Sequence, residues 1–412
     1  MSSLPLPGTG PAARPLRQDA TLIGLVGLAH CISHFSQLML APLFPWLKDA
    51  FAVSYTELGA LLTIFFVVSC VVQTLSGFWV DRVGPRPILF AGLALLGVAA
   101  LGFAASTSYT MLALFSVVAG TGNGVFHPVN YTLLNRKIGK ARLGHAYSVH
   151  GITGSLGWAL APALLVPITL AYSWRVALVC AAGLVFTVLL LLWSRRDVLL
   201  LAALPAAPKT AAAAEHSLAF LKIPAVWMCF GFFFFYAGAL SIVQTFAPEA
   251  ARQLHAVPAQ LVAMCLTIYM LCSAGGMLLG GFLAADPERC ERIVGISFGL
   301  AAGVALLVGF ASLPALAVPV LFGAMGFVSG MAGPSRDLLV KRSSPDNATG
   351  RVYGVVYAGL DIGQAVVPLA IGTLMDNGAF SSVWLALALL QSVLIVSAFN
   401  VQRVRRTALS PI

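Results

Sequence analysis

Charge is scarce in this sequence. Of its 412 residues only 9% are Asp, Glu, Lys or Arg, where soluble domains carry roughly 25%. So little charge, against 59% hydrophobic residues and a mean hydropathy of +0.93, cannot coat a particle of this size in water. Lipid must be the main solvent. The alternating runs of an outer-membrane barrel are also missing, which leaves helices to satisfy the backbone inside a bilayer. No Gly-x-x-x-x-Gly-Lys-[Ser/Thr] loop occurs, so nothing is built to hold the phosphates of ATP. With no nucleophile–base set and no metal-ligand motif, the chain is expected to be no enzyme and to need no cofactor or metal. The seven cysteines (31, 70, 180, 229, 265, 272 and 290) lack ligand spacing and read as small apolar fillers. The first 18 residues are rich in Pro and Gly and have no apolar core, so they read as a cytoplasmic tail and not as a signal peptide.

Apolar segments of about 20 residues, long enough to cross a bilayer, are abundant. Twelve spans are expected, at 21–45, 55–80, 86–107, 109–133, 143–169, 174–194, 222–247, 257–284, 291–311, 314–338, 349–375 and 380–401. The longest polar break follows Ser194. The expected organisation is a tail over 1–20, a six-helix bundle over 21–194, a linker over 195–221, a second bundle over 222–402 and a tail over 403–412. With both ends on one side, 20 of the 24 Lys and Arg fall there; Lys48, Arg175 and Arg252 fall opposite, and Arg336 lies inside a span. This bias puts both termini in the cytoplasm of a cell with its inner membrane as the site. It also accounts for the net charge of +10 without nucleic acid.

The chain repeats itself at half its length. A shift of 206 residues puts Gly120 on Gly326, Gly124 on Gly330, Pro128 on Pro334, Gly157 on Gly363, Pro162 on Pro368 and Ala41-Pro42 on Ala247-Pro248. The matches are mostly residues that fix backbone shape. The polar residues do not repeat: His34 faces Leu240 and Ser155 faces Asp361. Two halves of one fold create an interface where a transported solute would sit.

At the exit of span two stands Gly77-Phe-Trp-Val-Asp81-Arg82-Val-Gly84-Pro-Arg86. It resembles the loop signature of the major facilitator superfamily, Gly-x-x-x-Asp-Arg-x-Gly-Arg-Arg, with Pro85 displacing one basic residue. A worn copy, Gly280-Gly281-Phe282-Leu283-Ala-Ala-Asp286, follows span eight. The resemblance covers essentially the whole chain and implies an all-α membrane protein, twelve helices in two pseudo-symmetric bundles that rock about a central cavity. It further implies that Asp81 meets the start of span eleven, near Gly350 to Gly354, and latches the halves together on the cytoplasmic side. A second string runs Gly120-Thr-Gly122-Asn-Gly124-Val-Phe126-His127-Pro128, then Arg142-Leu-Gly144, then Gly154-x-x-Gly157-Trp-Ala-Leu-Ala161-Pro162. It is similar to the fosmidomycin-resistance-like exporters of that superfamily, over perhaps a third of the chain, and implies a gating helix built from His127, Pro128, His150, Gly154, Gly157 and Pro162. The Arg that drug–proton antiporters usually carry early in span four is absent from Leu114-Phe-Ser-Val-Val-Ala.

Ionisable groups inside hydrocarbon are costly and mark pathways. In span one His30, His34 and Gln37 share a stripe, open to two readings, proton transfer or hydrogen-bonded packing. A metal reading lacks a completing Cys or carboxylate on that span. His127 and His150 serve either a bond between spans four and five or a substrate contact. Span ten ends with Arg336-Asp337, and span eleven carries Tyr357, Asp361 and Gln364 on one face. Asp361, at mid-membrane, is either a proton carrier or half of a fixed pair with Arg336. Tyr236, which aligns with His30, is expected at the cavity. The function expected is proton-coupled efflux of a small anionic or zwitterionic organic molecule by a monomeric antiporter, its partners being substrate, protons and the bilayer. The alternatives are proton-coupled uptake of a metabolite such as an organic acid, and a non-transporting sensor on the same fold.

Overall fold

A computed structural model describes residues 15–201, 224–283, 289–343 and 349–409. Among these residues helices are the only regular structure. The first half holds α1 (Leu16–Gln37), a single 3-10 turn (Ala41–Leu43), α2 (Phe44–Phe51), α3 (Tyr55–Val83), α4 (Pro85–Ala105), α5 (Tyr109–Asn123), α6 (Phe126–Lys137), α7 (Lys140–Ala171) and α8 (Trp174–Ser194). The second holds α9 (Pro224–Thr245), α10 (Ala247–His255), α11 (Ala259–Leu283), α12 (Cys290–Phe310), α13 (Ala317–Ser343), α14 (Thr349–Asp376) and α15 (Phe380–Leu409). Eleven helical segments are long and apolar enough to cross a membrane, and the apolar part of α15, Phe380–Val396, makes a shorter twelfth. Helix α1 begins at Leu16, ahead of the start expected at 21. The reason is a buried carboxylate: Asp19 is only 2% exposed and accepts a 2.8 Å bond from the half-exposed Arg142 of α7, which anchors the first turn. Most of the expected linker, residues 202–221, lies outside the described residues.

Three crossings are broken, each near a proline. Span one stops at Gln37 and resumes through Pro42 and Pro45; span seven stops at Thr245 and resumes with Pro248; span four pauses at Gly124-Val125 ahead of Pro128. Proline cannot donate to the preceding turn, so a helix restarts there. The two equivalent short helices end alike, α2 at Ala52 (φ 51°) and α10 at Ala256 (φ 48°). Repeated glycines mark repeated helix crossings. A Cβ at Gly124 would lie 2.5 Å from the Ser69 carbonyl oxygen on α3, and its twin Gly330 abuts Ser273 on α11 in the same way. Gly157 and Gly363 likewise sit on the carbonyls of Cys31 and Phe234. The duplicated shape residues thus build duplicated contacts.

Helices α3 and α14, from opposite halves, pack against each other. At the face farther from the chain ends, a Cβ on Gly59 would sit 2.7 Å from the Pro368 carbonyl, and one on Gly372 2.8 Å from Thr56 Cα. Thr63 Oγ1 donates to the Ala365 carbonyl at 2.5 Å. Nearer the terminal face, a Cβ at Gly77 would meet nothing within 4 Å. Phe44 and Phe246, with ring centroids 6.0 Å apart, and Tyr55 against Phe246 at 6.2 Å add an aromatic seal to the far face. Thr267 of α11 bonds the Ala159 carbonyl of α7 at 3.2 Å, a further link between halves.

Candidate functional site

The break in span four sets up the site. By ending α5 at Asn123 and starting α6 at Phe126, it turns His127 toward the stripe on α1. His30 and His34, one helical turn apart, have ring centroids 4.2 Å from each other. His127 lies 5.3 Å from His30 and 6.2 Å from His34. His150 of α7 stacks on His30 at 3.6 Å and lies within hydrogen-bond distance of Asn130, at 3.3 Å. Space for the rings comes from Gly154, where a Cβ would meet His34 Cε1 at 2.8 Å and His30 Nε2 at 3.0 Å. Trp158 packs on His34 at 4.3 Å and donates its indole N–H to Gln37 Oε1 at 2.9 Å, so the third member of the stripe is also held. Beside the cluster, Ser33 donates to Asn123 at 2.8 Å and Asn123 to Ser69 at 3.0 Å, which ties α1, α5 and α3 together.

A hydrogen-bonded chain leaves this cluster and crosses to the other half. His127 Nδ1 is 2.8 Å from Gln73 Oε1 on α3, and Gln73 Nε2 donates to Asp361 Oδ2 on α14 at 3.0 Å. Because the Gln73 amide oxygen can only accept, His127 carries its proton on Nδ1, and Nε2 keeps a lone pair. Sequence reasoning passed over Gln73 and Trp158. The signal for Gln73 was a lone amide in the run Val71-Val72-Gln73, the same kind of costly intramembrane polar group that drew attention to Asp361.

Arg336 does not pair with Asp361, contrary to the fixed-pair expectation. Its guanidinium lies 4.5 Å from the Tyr236 ring centroid and 5.1 Å from that of Phe233, a cation–π arrangement within the second half. Tyr236 and Arg336 thus form a second polar group, separate from the histidines. Gln364 donates to Gln244 at 3.4 Å, joining α14 to α9. The side chains of Asp337 and Tyr357 lie outside the described residues, as do Asp81 and its expected partners near Gly350. Of the remaining loop residues, Gly84 is at φ 84°, where it ends α3 and caps α4; Arg82 is exposed and Arg86 half-buried. Pro128 occupies the first turn of α6, whereas Pro162 lies inside α7.

The far face holds a feature the sequence did not reveal. Asp376, the last residue of α14, accepts from the Tyr55 N–H at 2.7 Å, the Thr56 N–H at 2.9 Å and the Thr56 hydroxyl at 2.6 Å. Ser54 and Glu57 satisfy each other's N–H groups in a capping box. All four orphan donors at the start of α3 are thereby filled, two of them by the opposite half. Lys48 adds a 3.9 Å ion pair to Asp376. On α10 Glu249 grips Arg252 with two bonds of 2.7 and 2.6 Å, which raises the guanidinium further above its usual value.

Comparison with known proteins agrees with this architecture. The family model described as Major Facilitator Superfamily matches residues 26–323 and, again, 229–411. The uncharacterized MFS-type transporter YfnC of Bacillus subtilis is 28% identical over 89% of both chains. The fosmidomycin resistance protein of Escherichia coli is also 28% identical, but over 42% of this chain and 43% of its own length. Among solved structures, a bacterial homolog of the human lysosomal transporter Spinster, in an inward-facing and occupied conformation, superposes with a TM-score of 0.72 at 14% identity, covering 96% of this chain and 98% of that one.

Proposed function

The chain belongs to the major facilitator superfamily and is a multi-pass secondary transporter rather than an enzyme, and on that premise we propose that it exports a small anionic or zwitterionic organic molecule in exchange for protons. The observation that carries the proton coupling is the chain His127–Gln73–Asp361, a titratable group in each half joined through one amide. The Gln73–Asp361 bond joins the two halves in the conformation whose far face is closed. A proton arriving on Asp361 removes the charge that Gln73 binds and loosens the link between halves; a proton passed to the histidines restores it. Protonation thereby changes which face is closed, which is the differential interaction that alternating access requires.

Arg336 supports an anionic or zwitterionic cargo. It lies over two aromatic faces within the second half, and a guanidinium matches a carboxylate or phosphonate well. Export draws support from the likeness to the fosmidomycin resistance protein over 42% of this chain. The positive bias of the terminal face supports cytoplasmic termini in an inner membrane. Direction is tested by growth of a strain lacking the gene against a panel of acidic and zwitterionic inhibitors, fosmidomycin included. Hypersensitivity reversed by the wild-type gene and not by Asp361→Asn is the expected result; a strain that becomes more resistant would instead mark uptake.

A further inference from the structure

We propose that His30, His34 and His127 form a binding site for a divalent transition-metal cation of the zinc class. One ring nitrogen from each residue lies within 4.8 Å of the other two. The sequence hid this set because the third ligand comes from α6, far along the chain, and not from span one. Ligand nitrogens on a tetrahedral ion with bonds of about 2.0–2.1 Å are roughly 3.3 Å apart. Small side-chain rotations therefore close the set without moving a helix. Imidazole is the nitrogen donor favoured by zinc, nickel and copper, and three of them leave a coordination position open for water or a further ligand.

Three observations favour a cation over plain packing. His30 is 3% exposed and His34 8%, yet His30 Nδ1 and both nitrogens of His34 lack a hydrogen-bond partner. Buried polar atoms in folded proteins nearly always have one. His127 already has the outer support that metal-binding histidines show, with Nδ1 on Gln73 and Nε2 left free. Gln73 in turn bonds Asp361, the carboxylate that offsets the charge an ion brings among neutral rings. His150 stacks on His30 with Nε2 at Asn130, and so packs the triad instead of ligating.

This site goes beyond transport, and its test needs no substrate or proton gradient. Purified full chain in detergent, freed of any oligohistidine tag, is titrated calorimetrically with zinc chloride. We expect one ion per chain, binding weakened at least about tenfold in His30→Gln and in His34→Gln, and an X-ray absorption edge fitted by imidazole nitrogens at about 2.0–2.1 Å. The absorption measurement uses the wild-type chain, so it stands even where a variant folds poorly. Failure of the wild type to bind zinc more tightly than about 0.1 mM, or unchanged binding by the double variant, would overturn the site.

Discussion

Replacing Asp376 by Ala should open the far face. This carboxylate is the end of α14 and caps the start of α3 in the opposite half through bonds of 2.7, 2.9 and 2.6 Å. Its side chain is 23% exposed and its partner Lys48 37% exposed, so the ion pair contributes little and the caps dominate. Charge-assisted bonds of this kind contribute about 1.5–3 kcal/mol each when sheltered, but here water replaces them once the face opens. A net loss of about 2–3 kcal/mol follows, taking the helix-cap range as the guide. At 1.4 kcal/mol per factor of ten, that moves the equilibrium about 30- to 150-fold. A closed-to-open ratio of about 100:1 would fall to between about 3:1 and 1:1.5. Nitroxide labels at Tyr172 and Leu316, 77% and 73% exposed and on opposite halves, report the change by pulsed electron spectroscopy. A new population at longer distance is expected in Asp376→Ala, with part of it already present in Asp376→Asn. A distance distribution identical to wild type would refute the capping argument.

Other perturbations separate the remaining parts. Asp361→Asn should leave folding intact and remove the dependence of flux on the pH gradient, measured in proteoliposomes; Gln73→Leu should do the same by breaking the chain at its middle. Gly154→Ala places a methyl group about 3 Å from two buried rings, and overpacking of that kind costs about 1–3 kcal/mol, read as a lower melting temperature in detergent. Arg336→Ala should raise KM for an anionic substrate by at least about tenfold and that of a cationic one hardly at all, the loss of one charge-assisted contact. Asp81→Asn should insert normally and abolish transport, checked by matching membrane abundance against flux.

Much of the fold was legible in the sequence because lipid imposes one simple rule: a helix must be apolar for about 20 residues to cross. The repeat of Gly124 on Gly330 and Gly157 on Gly363 was equally legible, since only glycine lets two backbones touch where these helices cross. The helix stripe at His30, His34 and Gln37 could be read from periodicity, and all three side chains are buried. What could not be read is which helices meet. His127 joins the stripe only because span four breaks, and Gln73 reaches Asp361 only because α3 and α14 cross between halves. The same ignorance of crossings left a pair of Arg336 with Asp361 as one of two readings, where the guanidinium instead lies over the rings of Phe233 and Tyr236. Asp376 was invisible for a similar reason: a carboxylate at a helix end looks solvated until its partner helix is known.

Proton exchange is tested most directly with a pH-sensitive dye in everted membrane vesicles. In vesicles carrying the wild-type chain, adding a transported anionic inhibitor to an established gradient should release lumenal protons, and Asp361→Asn should abolish that release while leaving substrate binding in place. Proton release that persists in Asp361→Asn, or substrate flux in the wild type that proceeds with no proton movement, would contradict the coupling.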